Sequence, residues 1–168
     1  MIEDFNHVIN IWINNLENYD FNQLCTKPSI TGWSLGQVYM HLIDDTNFYL
    51  EQIKLCLSSN KNNTEEASRA AKTMFLNNGF PDKIIEGAPS NLYTPQPGSK
   101  EQLRSCLMTL KDDFNKLAIL VSKSLFEGKT RHPGLGYFNA NEWLQFCEMH
   151  FRHHLRQKKR IDAFLKIN

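Results

Sequence analysis

The stretch His150-Phe151-Arg152-His153-His154-Leu155-Arg156-Gln157 places two imidazoles, His150 and His154, four residues apart. On a helix that step stacks both on one face, about one turn (5.4 Å) apart, where they can share a metal ion. The residues around them identify the face. Trp143, Phe146, Cys147, Ile161, Phe164 and Leu165 recur at three- and four-residue steps and form an apolar stripe. The two histidines continue that stripe in places where Leu or Ile would be expected. Buried imidazoles without partners would each cost on the order of a few kcal/mol, so these two need hydrogen bonds or a cation. The pattern fits metal ligands and hydrogen-bonded core histidines equally. His153, about 100° around the helix from His154, reads as solvated or as a support for a neighbouring ligand.

The same periodicity runs through the chain. Ile2, Phe5, Ile9, Trp12 and Leu16 predict an amphipathic helix over residues 2–18, and Asn22 to Gly32, with Pro28, predicts a loop. Ser34 with Gln37 forms a capping box that opens a helix from Leu35 to about Ser58, its buried stripe being Leu35, Val38, Leu42, Tyr49 and Ile53. His41 lies at the edge of that stripe, with Asp45 one turn further along the same side. The polar run Asn60–Asn63 breaks the pattern. Asn62-Asn63-Thr64 is a glycosylation sequon, without consequence in a cytoplasmic chain. Thr64 to Leu76 predicts a short helix closed by Asn77-Asn78-Gly79. Residues 80–98 hold Pro81, Pro89, Pro95 and Pro97 and predict a long connection over one end of a bundle.

Ser99 with Gln102 repeats the capping-box signal before Leu103, Leu107, Leu110, Phe114, Leu117 and Val121, a bundle-type seam. Gly128 to Phe138, which contains His132-Pro133-Gly134, predicts a second loop. Asn139 or Asn141 caps the last helix. No stretch alternates like a strand and no segment repeats. The prediction is an all-α four-helix bundle with a long crossover between helices 2 and 3, a fold that builds metal sites from inward side chains on facing helices.

The 168 residues predict one domain, 1–168, with a sizeable core. A net charge of +1, from 19 basic and 18 acidic residues mixed throughout, argues against nucleic acid as a partner. The cluster Arg156, Lys158, Lys159, Arg160 reads as a solvated helix end. No apolar run suits a membrane, and Met1-Ile2-Glu3-Asp4 is unlike a signal peptide. Cys25, Cys56, Cys106 and Cys147 show no C-x-x-C spacing and read as reduced and mostly buried. A cytoplasmic location is the expectation.

Three stretches carry a family resemblance. Trp33-Ser34-Leu35-Gly36-Gln37, followed by His41-Leu42, resembles the helix-2 signature of the DinB-like (YfiT-like) four-helix-bundle metalloproteins. His150…His153-His154…Gln157 resembles that family's last-helix signature, in which the outer histidines of H-x-x-x-H bind metal. His132-Pro133-Gly134-Leu135-Gly136 with Glu142-Trp143 is similar to a subgroup of unassigned function. The three stretches stand in the family's order, and the likeness covers residues 2–166.

The resemblance implies a metal triad of His41, His150 and His154, with zinc the first choice of divalent ion and nickel the second. Three neutral nitrogens and a water make the open arrangement of a catalytic site, where the metal acidifies its water or activates a bound thiol. Asp45 reads either as a support for a ligand imidazole or as a solvated aspartate. Gln157 matches the family motif and also fits a plain packing contact. Cys147 reads as a buried structural thiol, with reach to the metal as the alternative. His132 reads as an exposed loop residue, with closure over the site as the alternative. Tyr39 and Tyr49 read as core or rim, and His7 as surface.

Characterised members of the superfamily join a low-molecular-weight thiol (mycothiol, bacillithiol or glutathione) to electrophiles, or isomerise substrates with its help. The resemblance therefore implies a metal-dependent transferase or hydrolase acting on a small molecule, and a homodimer paired through helix faces. Two alternatives stand beside it. One is a non-catalytic metal-binding or stress-response protein; the other is a plain helical bundle without metal.

Overall fold

The computed structural model describes residues 1–81 and 93–167. Four helices carry the architecture: α1 (Ile2–Asn15), α3 (Leu35–Cys56), α5 (Lys100–Val121) and α6 (Ala140–Leu165). Two short helices, α2 (Phe21–Cys25) and α4 (Arg69–Leu76), and a two-stranded hairpin of β1 (Lys129–His132) and β2 (Gly136–Asn139) fill the connections. The protein is a four-helix bundle. α1 and α3 occupy opposite corners, and each packs against both α5 and α6.

The apolar stripes read from the sequence meet along the bundle axis. Phe5 of α1 stacks on Phe114 of α5 at 3.7 Å and meets Phe151 of α6 edge-on at 5.4 Å. Trp12 and Tyr39 cross edge-to-face at 5.0 Å. Their polar ends are satisfied across the core: Trp12 Nε1 donates to Phe151 O at 3.2 Å, and Tyr39 Oη donates to Trp12 O at 2.8 Å. All five side chains are fully buried, each contributing roughly 2–3 kcal/mol of transfer free energy.

Helix starts follow the predicted chemistry. Ser34 and Gln37 form a complete capping box at α3, and Asn139, not Asn141, forms one with Glu142 at α6. At α5 only half of the motif is made. Ser99 accepts from Gln102 N, but the Gln102 side chain reaches back one residue further, to Gly98 N at 2.7 Å.

Several expectations are corrected. The first helix ends at Asn15 and tightens into a 3₁₀ turn over Leu16–Asn18. The predicted loop 22–32 begins inside α2, which Asp20 and Gln23 cap and buried Leu24 anchors. The short helix starts at Arg69 rather than Thr64, because Ala67 is held in a bridge to Gly136 and Ser68 N donates to Leu135 O at 2.7 Å. The predicted loop 128–138 holds the hairpin, in register Lys129–Asn139 to His132–Gly136. Gly136 makes its turn possible. Its φ is +84°, and a Cβ there would lie 2.7 Å from both Glu66 O and Ser68 N.

Phe164 falls off the stripe and is 46% exposed. Lys158 is not part of a solvated helix end: it is buried and donates to Asp162 Oδ2 at 2.7 Å.

Most of the predicted connection 80–98 lies outside the described residues. Its described end, from Tyr93 onward, crosses the start of α3. Gln37 Nε2 donates to Thr94 O at 2.6 Å, and Ser34 Oγ donates to Gln96 Oε1 at 2.8 Å. Gly36 lets Pro97 approach, since a Cβ there would stand 2.8 Å from Pro97 Cδ. Among the described residues no helix is long and apolar enough to cross a membrane.

Candidate metal centre

His41 lies in the second turn of α3, and His150 and His154 lie in the middle of α6. Because these helices pack directly together, residues 109 positions apart in sequence become neighbours. His41 Nε2 is 3.1 Å from His150 Nε2, and His154 Nε2 is also 3.1 Å from it. One ligand atom from each ring falls within 4.8 Å of the others. The three are buried, with exposures of 7%, 6% and 9%.

The outward nitrogens decide what the inward ones can do. His154 Nδ1 lies 2.8 Å from Gln157 Oε1, an amide oxygen that can only accept, so Nδ1 carries the proton and Nε2 presents a lone pair. His41 Nδ1 faces Asp45 Oδ1 at 3.6 Å, which favours the same tautomer. His150 Nδ1 is buried without a hydrogen-bond partner among the described residues, and its Nε2 sits between the other two.

Burial pushes all three rings below the ordinary histidine range. His154 is pushed down to about 3, by burial first and by His41 next. His150 is pushed well down by burial and then by the other histidines. His41 is lowered by burial, which Asp45 and Asp44 oppose. At neutral pH the cluster is therefore a set of uncharged donors aimed at one point, with an orphaned polar atom behind them.

A divalent cation fits such a set. It accepts lone pairs, needs its imidazoles neutral, and at about 2.05 Å from each nitrogen sets tetrahedral N–N edges of about 3.3 Å. The two 3.1 Å separations are close to that value.

Aromatic rings wall the cluster. Trp33, just before the α3 cap, lies 5.0 Å from the His41 ring. Phe146 stacks parallel to His150 at 6.4 Å. Phe80 lies 6.1 Å from His150 and 4.9 Å from His153. The turn that delivers Phe80 is tied to α6, where Gln145 Nε2 donates to Phe75 O at 3.0 Å and Arg152 Nη2 donates to Asn78 O at 2.8 Å. Trp33 and Phe80 are both half-buried. Neither stands on a helical stripe, so periodicity could not mark them.

The remaining candidates disperse. Cys147 is fully buried, burial pushes its thiol far up, and it is not among the grouped donors, which fits the structural reading. His132 is not an exposed loop residue. It stacks on Trp143 at 5.6 Å, lies 5.1 Å from Phe146, and accepts from Gly134 N at 3.1 Å through Nδ1. Burial pushes it down to about 4. His153 is half-buried beside Phe80, with Arg156 Nη2 3.0 Å from its Nδ1. Tyr39 belongs to the core, and His7 is exposed. Tyr49 does more than fill space, since its Oη donates to Asp45 Oδ2 at 3.1 Å.

Comparison with known proteins bears on the same elements. The family model of the DinB superfamily matches residues 5–157. No curated protein matches the chain with significance. Among solved structures, YfiT from Bacillus subtilis, described as a probable metal-dependent hydrolase with an unusual four-helix bundle topology, matches with a TM-score of 0.65 at 16% identity. The match covers 99% of this chain and 86% of that one, and at such identity it speaks to the fold. Since the family match runs unbroken from the helix bearing Phe5 through those bearing His41, His150 and His154 to Gln157, the chain belongs to the DinB superfamily.

Proposed function

We propose that the chain is a metal-dependent enzyme acting on a small molecule, with His41, His150 and His154 holding one divalent cation. The observation that supports this reading is the convergence of three uncharged imidazole nitrogens, 3.1 Å apart in two pairs, in a buried site. A bound divalent cation supplies Lewis acidity, lowering the pKa of a water or thiol and polarising an electrophile. The chain's own residues prepare for this. Gln157 fixes the His154 tautomer, and Trp33 and Phe80 restrict water around the imidazoles.

Zinc suits three nitrogens and an open position, and nickel is the second choice. The reaction is hydrolysis, the activity ascribed to YfiT, or S-transfer from a low-molecular-weight thiol. The same reading includes a single domain over residues 1–168, a cytoplasmic location and a homodimer. A fourth protein donor, Cys147 or a carboxylate, would favour the non-catalytic alternative. Among the described residues the grouped donors are three histidines.

Metal content of protein purified without an affinity tag tests the reading: one equivalent of divalent ion is expected, and none would overturn it. A screen of small esters, amides and thiol-plus-electrophile pairs, with and without chelator, then separates hydrolase from transferase. Activity indifferent to chelator would exclude both.

A further inference from the structure

Asp45 brings a carboxylate against the histidine cluster, and holding a cation with three imidazoles does not by itself require one. It stands one turn after His41 on α3. Its Oδ1 lies 3.6 Å from His41 Nδ1, too far for a hydrogen bond, and its Oδ2 lies 3.9 Å from His150 Nε2. Tyr49, one further turn along, donates its Oη–H to that same Oδ2 at 3.1 Å. The Tyr49 ring is 5% exposed, stacked on Trp143 at 5.4 Å and edge-on to Phe146 at 5.2 Å, so the phenol is a fixed anchor. An aspartate present only to orient His41 would take the Nδ1 proton in a short hydrogen bond. Here a buried phenol draws the carboxylate toward the inward nitrogens instead. About a third of the Asp45 side chain is exposed, so the carboxylate meets solvent as well as the cluster.

We propose that Asp45 is the positioning residue of the centre: a fixed negative charge that faces the cation's exchangeable ligand rather than binding the cation itself. A water or thiol arriving there donates a hydrogen bond to Asp45. The carboxylate strengthens cation binding through its charge and disfavours competing anions. This rests on the metal reading above and extends it to the choice of incoming ligand, favouring one that brings a proton over one that arrives as a bare anion.

Protein loaded with Co²⁺, with azide as the probe of the exchangeable position, tests the assignment. Asp45→Asn keeps the shape and removes the charge. Its Co²⁺ affinity is expected to fall about 10–100-fold. Azide affinity of the loaded protein is expected to rise, and the visible Co²⁺ bands to keep their intensity because the ligand number is unchanged. Tyr49→Phe frees the carboxylate without deleting it and is expected to move both affinities in the same directions by less. Asp44→Asn, an exposed neighbour on α3, is the control, with changes under about 2-fold.

A large change in the visible bands overturns the proposal in favour of Asp45 as a direct ligand, and azide affinity that falls together with Co²⁺ affinity overturns it by showing that the carboxylate does not repel anions from the exchangeable position. Asp45→Asn behaving like Asp44→Asn overturns it in favour of a solvated aspartate. Wild-type protein that takes up no Co²⁺ overturns the metal reading itself, so the first measurement separates the two failures.

Discussion

His154 and Lys158 lie one turn apart on α6 and are equally buried, at 9% and 8% exposure, yet they belong to clusters that answer burial in opposite ways. At the Lys158 end the charges close on themselves. Lys158 Nζ donates to Asp162 Oδ2 at 2.7 Å, Tyr19 Oη donates to Asp162 Oδ1 at 2.5 Å, and the ammonium lies 5.4 Å from the Tyr19 ring centre. Desolvation is offset inside the cluster, and nothing more is needed. At the histidine end three neutral imidazole nitrogens crowd together, and among the described residues the outer His150 Nδ1 has no partner. Burial is common to both ends. What distinguishes a candidate site is a surplus of lone pairs that the protein leaves unanswered.

The largest effect that would break this contrast is on metal content. His150→Ala removes the nitrogen shared by both close pairs and is expected to reduce zinc uptake by at least about 100-fold, whereas Lys158→Met leaves it at one equivalent. Elemental analysis of the two variants reads the difference, and equal loss in both would erase the distinction between the clusters.

Next comes the closed cluster's own stability. Asp162→Ala strands a buried ammonium and an unpaired phenol, and is expected to cost about 2–3 kcal/mol after discounting for partial exposure. Urea melts would show this drop with metal content unchanged.

A finer probe is Gln157→Leu, which releases the His154 tautomer. Zinc affinity measured by chelator competition should fall about 10-fold, or about 1.4 kcal/mol. An unchanged affinity would mean that Gln157 only fills space.

The smallest effect concerns His132, a shielded imidazole that needs no metal because Gly134 N already satisfies its Nδ1. Its folded-state pKa of about 4 lies below the unfolded value near 6.5. The unfolded chain therefore binds the proton first as pH falls. The contribution to stability is complete above pH 6.5, declines as pH drops from 6.5 toward 4, and is gone below that. Discounted for partial exposure, it amounts to about 1 kcal/mol. His132→Phe keeps the stacking and should flatten the urea midpoint across that window relative to wild type.

Much of this was legible in the chain, and the failures have identifiable causes. The α3, α5 and α6 starts follow from caps three residues ahead of a charged or amide partner. The seam of Leu103, Leu107, Leu110, Phe114, Leu117 and Val121 is buried as read. The hairpin escaped because Lys129–His132 and Gly136–Asn139 are four residues each, too short to show alternation, and are fastened by residues 66–68 from another part of the chain. Lys158 looks solvated by composition, since its burial depends on Asp162 and Tyr19 being placed beside it. Trp33 enters only through the family resemblance, Phe80 carries no periodic signal, and the Tyr49–Asp45 bond shows only as a helical offset.

Helix, period and cap are set by residues three and four apart, and so the residues alone determined an all-α bundle and put His150 and His154 on a single buried face. Whether His41 meets them is a matter between elements 109 positions apart, where no local pattern reaches. Only the packing of α3 on α6 decided that three imidazoles share one point. The same packing left His150 Nδ1 unanswered and turned Asp45 toward the cluster.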